Sequence, residues 1–242
     1  MNEHGLHSPF LFDLYNSCFK PRFSHKFNTI SGIKEILSSS SEEIQISDFG
    51  AGSQVTSSSI RKVRDMYKNS SISKKQGELF NRLIKYFQAE NVIELGTHLG
   101  LSSAYLSLGT DARVISIEGC PETAQFAQNI HLSHDLKNIE IVNRRFEEAL
   151  PGLLESLSSI DCVYLDGNHS YEPTLAYYEM LKPKLNEQSF LIFDDINWSE
   201  DMKRAWEDII KDDNISISLN CYKFGIVFFR GGIEKQNFYL MF

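Results

Sequence analysis

The chain has 242 residues, 42% hydrophobic and 23% charged, an ordinary globular composition with enough length for one sizeable core. Its net charge of −8 is uneven: residues 1–90 carry +3 and residues 91–242 carry −11. An acidic main body repels phosphate backbones and excludes nucleic acid as a general partner, while the mildly basic front suits an anionic small substrate or mere solvation.

The N-terminus, Met1-Asn2-Glu3-His4-Gly5, lacks a basic stretch followed by an apolar one, and no apolar run is long enough for a membrane helix. Cys18, Cys120, Cys162 and Cys221 are scattered without a CxxC pair, so neither a zinc site nor a disulfide framework is expected. Cys162 lies in an apolar run and reads as a buried free thiol. The expected setting is reducing and cytoplasmic.

Ser8-Pro9 opens a helical pattern in which Phe10, Leu11, Leu14, Tyr15, Cys18 and Phe19 form one apolar stripe. That stripe must be buried, either over the carboxyl edge of a sheet as a helical cap or against a second subunit in a homodimer. Ser38 to Ser41 with Glu42-Glu43 reads as a surface loop, and 60–67 and 76–87 as amphipathic helices. From Asn91 the rhythm changes to short β-rich runs at 92–95, 113–118, 139–142, 162–166 and 190–194. Helical segments at 101–108, 121–132, 147–157 and 171–185 lie between them, and another follows at 199–211. Alternation of this kind implies parallel strands joined by right-handed crossovers, a Rossmann-like doubly wound α/β sheet. The end of the chain reads as a closing antiparallel hairpin of 215–230 and 237–242 about Gly231-Gly232. The expected division is a helical extension at 1–72 and a ligand-binding domain at 73–242.

Two glycine-rich turns compete as ligand cradles, Asp48-Phe49-Gly50-Ala51-Gly52-Ser53 and Glu94-Leu95-Gly96-Thr97-His98-Leu99-Gly100. Such a turn after a strand lets backbone approach a ligand closely. Only the second follows an apolar strand, opens a helix and is succeeded by a strand ending in an acid, Glu118. A carboxylate at that strand tip accepts hydrogen bonds from ribose hydroxyls. The G-x-x-x-G spacing and the acid at Glu94 disfavour a pyrophosphate and suit the ammonium of a methionine moiety, which favours S-adenosylmethionine over NAD.

Asp166 closes the fourth strand of this series and Asp194-Asp195 the fifth. At neighbouring strand ends the three carboxylates face one crevice, and such a cluster suits a hard cation such as Mg²⁺. A metal there would hold substrate hydroxyls and lower the pKa of the attacked one. His169, in the Asp166 loop, is a candidate general base.

Taken together, Ser73 to Gly77, Val92 to Ser103, the Glu118 tip and the Asp-Gly-Asn-His-Ser-Tyr loop resemble class I S-adenosylmethionine-dependent methyltransferases. The closest likeness is to the catechol and caffeoyl-CoA O-methyltransferases and the metal-dependent sugar O-methyltransferases. The resemblance implies that Glu94, Gly96, Thr97, Gly100, Ser102 and Ser103 hold the methionine end and Glu118 the ribose. It implies further that Arg145 and Phe146 border the adenine, that Asp166 serves both cofactor and catalysis beside His169, and that Asp166, Asp194 and Asp195 bind Mg²⁺ or another divalent ion. The first 72 residues are similar to an extension in a Bacteroidetes-type subgroup of unknown substrate. The expected activity is O-methylation of a small-molecule hydroxyl, with metal-free N- or C-methylation or non-catalytic cofactor binding as rivals.

Overall fold

The computed structural model describes residues 8–20, 27–47 and 59–241. Helix α1 (Pro9–Leu14) runs into one π turn at Tyr15–Phe19, and α2 (Asn28–Ser39) follows. Strands β1 (Glu43–Gln45) and β2 (Ile60–Lys62) pair antiparallel ahead of helices α3 (Val63–Ser70) and α4 (Lys74–Phe87). The alternating part then runs β3 (Asn91–Leu95), α5 (Leu101–Ser107), β4 (Arg113–Glu118), α6 (Pro121–Ser133), β5 (Ile139–Asn143) and α7 (Phe146–Ser156). It continues with β6 (Cys162–Leu165), α8 (Tyr171–Leu181), β7 (Phe190–Phe193) and α9 (Glu200–Ile209), and the chain closes with β8 (Ile217–Asn220), β9 (Gly225–Phe228) and β10 (Gln236–Tyr239).

Eight strands form one sheet in the order β10-β8-β9-β7-β6-β3-β4-β5. The five from β3 to β7 are mutually parallel, as expected of the βα alternation. The chain fills the sheet outward from β3 on one side and from β6 on the other, so the switch point lies between β3 and β6. Ligand crevices in such sheets open there, beyond the carboxyl ends of the strands. Burial on both faces explains why the central strands β6 and β7 carry no charged residue and are buried at every position. In β6, Cys162 and Tyr164 join the core beneath α4, whereas Val163 and Leu165 join the core beneath α7 and α8. The former core also positions the site, because Phe80 of α4 packs edge-on against both Tyr164 and Phe224 at 5.2 Å.

Three local expectations need correction. Ile60–Lys62 is strand and not the start of a helix, because its backbone pairs with Glu43–Gln45. The C-terminal hairpin is made by β8 and β9 themselves. Asn220, where the strand pattern breaks, accepts the Tyr222 N–H through Oδ1 at 2.9 Å, and Tyr222 turns with φ +68°. Strand β10 then lies parallel to β8 at the sheet edge and does not fold back on β9. The apolar stripe of α1 is buried, yet away from the carboxyl edge. Phe10 packs on Phe87 and Phe228, and Phe228 pairs with Phe190, the first residue of β7, so α1 sits at the amino end of the sheet.

The β1–β2 pair, by contrast, reaches the carboxyl edge. The Gln45 N–H is accepted by Glu122 at 2.7 Å, and the Ser47 N–H by the Cys120 sulfur at 3.4 Å. Leu11, Leu14, Cys18, Ile30, Ile33 and Leu37 share one continuous core with the sheet. Leu14→Ala should therefore lower the unfolding free energy by about 2–5 kcal/mol in a single denaturant transition. A separate early transition for the N-terminal helices would show that they fold apart from the sheet.

Candidate active site

The Gly96–Gly100 turn is shaped by close backbone approach. Gly96 has φ +106°, and a Cβ there would stand 2.2 Å from the carbonyl oxygen of Asp166. Any side chain would push β3 and β6 apart at the switch point. Gly100, at φ +77°, sits against His131 of α6, whose Nε2 lies 2.8 Å from the Gly100 oxygen and 3.2 Å from Ser103 Oγ. His131 had no signal in the sequence, since its partner is 31 residues away.

Beneath the turn lies a sealed polar cluster. Glu94, Thr97, Ser103 and Ser116 have no exposed surface, and Ser102 has 6%. The Ser116 hydroxyl donates to Glu94 Oε2 and shares a 2.5 Å hydrogen bond with Thr97. Burial pushes the Glu94 carboxyl up to about 8, with the hydroxyls of Ser102, Ser116 and Ser103 pulling the other way and Asp166 adding to the rise. Glu94, Thr97 and Ser103 thus lie beneath the turn with no exposed surface. Within the turn, Gly96 and His98 are half-buried and the other residues are buried.

Glu118 stands where the sequence placed it, at the tip of β4. Its Oε2 accepts the His98 N–H and its Oε1 the Cys120 N–H, both at 2.9 Å. Each oxygen keeps further accepting capacity. Burial raises its pKa, and the amides of Cys120, His98 and Gly119 oppose the rise. His98 is held neutral, its pKa lowered to about 4 chiefly by burial and secondarily by Arg61 of β2. Arg145 caps α7 at the surface, and the half-buried ring of Phe146 meets Tyr177 at 5.5 Å and closes over Gly167.

Across the switch point, Asp166 and Asp194 are brought together by a residue the sequence reading passed over. Tyr164 Oη lies 2.9 Å from Asp166 Oδ2 and 3.0 Å from Asp194 Oδ2. Alternation in a strand puts Tyr164 and Asp166 on one face, so the pattern held that signal. One hydroxyl has a single proton, so both contacts are hydrogen bonds only when the carboxyl pair shares another. Burial, above all, lifts the pKa of both acids, their mutual repulsion and Asp195 add to it, and Lys223 opposes it. Asp194 Oδ1 is buried without a partner among the described residues. Asp195 follows at φ +52°, and His169 Nε2 lies 3.7 Å from Asp166 Oδ1 with its ring 5.8 Å from Trp198.

Among the described residues no three His, Cys, Asp or Glu side chains are arranged to hold a metal ion. The Asp166, Asp194, Asp195 trio expected to bind a divalent cation thus does not form a ready ligand set. The Asp48–Ser53 turn lies outside the described residues. All four cysteines are buried free thiols, as expected for Cys162.

The glycine turn and the acid-tipped second strand beside the switch point of a mostly parallel sheet define a Rossmann-like domain. Residues 93–196 match the family model described as a methyltransferase domain. A catechol O-methyltransferase from Niastella koreensis is 29% identical over 129 residues, covering 52% of this chain and 57% of that protein. An uncharacterized protein from Acanthamoeba polyphaga mimivirus is 28% identical over 104 residues, covering 41% of this chain and 45% of that one. The chain thus spans about half the length of these curated relatives. An O-methyltransferase from Bacillus cereus, solved in complex with S-adenosylhomocysteine, superposes with a TM-score of 0.63 at 16% identity over 88% of this chain and 94% of that one. One from Streptomyces achromogenes, solved with S-adenosylmethionine, gives 0.61 at 17% identity over 90% and 96%.

The sealed Glu94 gives a pH test. Its folded pKa, about 8, exceeds that of an unfolded glutamate near 4.5, so the folded state binds the extra proton between those values. Stability is therefore fully present below about pH 4.5 and falls as the pH rises toward 8. Glu94→Gln should flatten that decline, read as thermal midpoints from pH 5 to pH 9. A parallel decline in the variant would place the proton elsewhere.

Proposed function

We propose that the protein is an S-adenosylmethionine-dependent methyltransferase acting on a hydroxyl of a small molecule. The observation that carries this reading is the pairing, across one switch point, of Glu118 with the Tyr164-bridged Asp166 and Asp194. The first suits a ribose, and the second ends the crevice with proton-accepting groups.

The residues fit the cofactor. Gly96, at φ +106°, lets the turn pass close against the Asp166 backbone at the switch point, and Glu118 has accepting capacity on both carboxylate oxygens. Gly96 and His98 would line the methionine end, Glu118 would accept the ribose hydroxyls, and Arg145 and Phe146 would border the adenine. S-adenosylmethionine, when bound, supplies an activated methyl on a sulfonium. The chain's part is alignment, which can supply much of the rate enhancement in a two-substrate transfer. His169, half-buried beside Asp166, takes the proton released as the acceptor oxygen attacks. Divalent-ion assistance, the finer reading suggested by sequence, has no ready ligand set here, and no step depends on it. One relative and one structural neighbour described as O-methyltransferases support oxygen as the target atom.

Two measurements test this. S-adenosylmethionine and S-adenosylhomocysteine should raise the thermal midpoint whereas NAD should not, because a ligand stabilises the state it binds. Glu118→Ala should weaken their binding by about 1–3 kcal/mol in calorimetry, the cost of lost charge-assisted hydrogen bonds. Unchanged affinity would remove Glu118 from the ribose. Once labelled cofactor and a metabolite mixture yield an acceptor, His169→Ala should cut turnover by about 10²–10⁴-fold with cofactor affinity retained. Turnover that survives His169→Ala but needs added Mg²⁺ would favour the metal-assisted route.

A further inference from the structure

The last turn of α6 brings a buried histidine behind the glycine turn. His131 is 3% exposed, and its Nε2 lies 2.8 Å from the Gly100 carbonyl oxygen and 3.2 Å from Ser103 Oγ. A carbonyl oxygen can only accept, so Nε2 carries a proton and donates it. Burial lowers the pKa of the ring, the Gly100 carbonyl opposes that and His134 adds to it, so the ring is neutral at neutral pH. Nδ1 is then a bare acceptor, buried without a partner among the described residues. A single tautomer fits this site.

The ring also fills the space in which Gly100 has no side chain. Gly100 stands at φ +77°, and a Cβ there would meet His131 Nε2 at 2.6 Å and Ala127 Cβ at 3.0 Å. From Gly100 the constraint passes along the turn. The Gly100 N–H donates to Thr97 O at 2.9 Å, and the next residue, His98, donates its N–H to Glu118 Oε2 at 2.9 Å. One chain of contacts therefore runs from α6 through the turn to the acid at the β4 tip.

We propose that His131 is a positioning residue for the cofactor end: as the Nε2–H tautomer it locks Gly100, and through Thr97 and His98 it sets where the Glu118 carboxylate stands. Naming this the cofactor end rests on the methyltransferase reading, but the coupling of His131 to Glu118 does not. The position requires a donor and not only a filler. Without Nε2–H the Gly100 carbonyl keeps the Ala104 N–H at 3.2 Å and the Ser103 hydroxyl at 3.1 Å, both long for their kind. Glycine has the greatest backbone freedom of any residue, so a weaker hold there loosens the turn.

Two measurements need no cofactor. Nitrogen-15 resonances of the histidine rings should show His131 as the Nε2–H tautomer in wild type, and the Nδ1–H tautomer would overturn the proposal. Native-state amide exchange then compares wild type with H131Q, whose amide can donate in place of Nε2–H, and H131L, which fills space without donating. In H131L the His98 and Gly100 amides should exchange about tenfold faster relative to the Asp194 amide, which Leu165 O holds at 2.9 Å, while H131Q should keep their protection. Equal acceleration at Asp194 would mean a global loss of stability and overturn the local role, as would unchanged exchange at His98. H131Q losing protection as H131L does would overturn the donor role, and H131Q decides alone if H131L does not fold. Calorimetry with S-adenosylhomocysteine should show binding to H131L about tenfold weaker than to wild type and H131Q, and equal affinity in all three would remove His131 from the cofactor end. No binding to wild type would sink the methyltransferase reading and leave the exchange rates to decide the coupling of His131 to Glu118.

Discussion

The contact on which this architecture turns is backbone against backbone, Gly96 packed on the carbonyl of Asp166 at the switch point. It draws the carboxyl ends of β3 and β6 together, so that the first glycine turn and the first acidic loop share a crevice. Glu118 and the pair Asp166 and Asp194 then stand at the same end of the sheet on different strands. Neither set would be useful if the two strand ends stood a side chain further apart. The positive φ of Gly96 is the local cost, and the parallel ladder on both sides of β3 offsets it.

Charge is handled differently in the two halves of the crevice. Under the glycine turn, Glu94 is surrounded by hydroxyls and shut off from solvent, which makes it part of the scaffold. Glu118, half-buried, is held by main-chain N–H groups that leave it free to accept more. At the other end Asp166 and Asp194 are too close to ionise independently, and Tyr164 bridges them. Packing of Phe80 on the Tyr164 ring keeps that hydroxyl in place, so a helix from before the alternating region fixes a group inside the crevice.

The N-terminal segment divides its work accordingly. Helix α1 and the π turn extend the core at the amino end of the sheet, with the Arg82 side chain donating to Cys18 O at 2.6 Å. The β1–β2 pair goes to the other end and ties to Cys120 and Glu122, just past the tip of β4. One connected segment therefore touches both ends of the sheet. Its influence on the crevice passes through the β4 tip and through Arg61, whose charge acts on His98.

The sequence by itself determined the order of the alternating strands and helices, because apolar runs of period two and of 3.6 report burial directly. It also determined the Gly96–Gly100 turn, the acid at the β4 tip and the three aspartates after β6 and β7, since glycine and aspartate at strand ends have local reasons to be there. Only the tertiary structure decided that Glu94 is sealed and Glu118 open, because exposure depends on what α5, α6 and β4 place over each. The same holds for Tyr164 between two aspartates and for His131 behind Gly100, contacts that span 30 and 31 residues. Strand β10 reads as a return strand in sequence, yet it pairs parallel with β8, because which edge remains open is known only once the whole sheet is assembled.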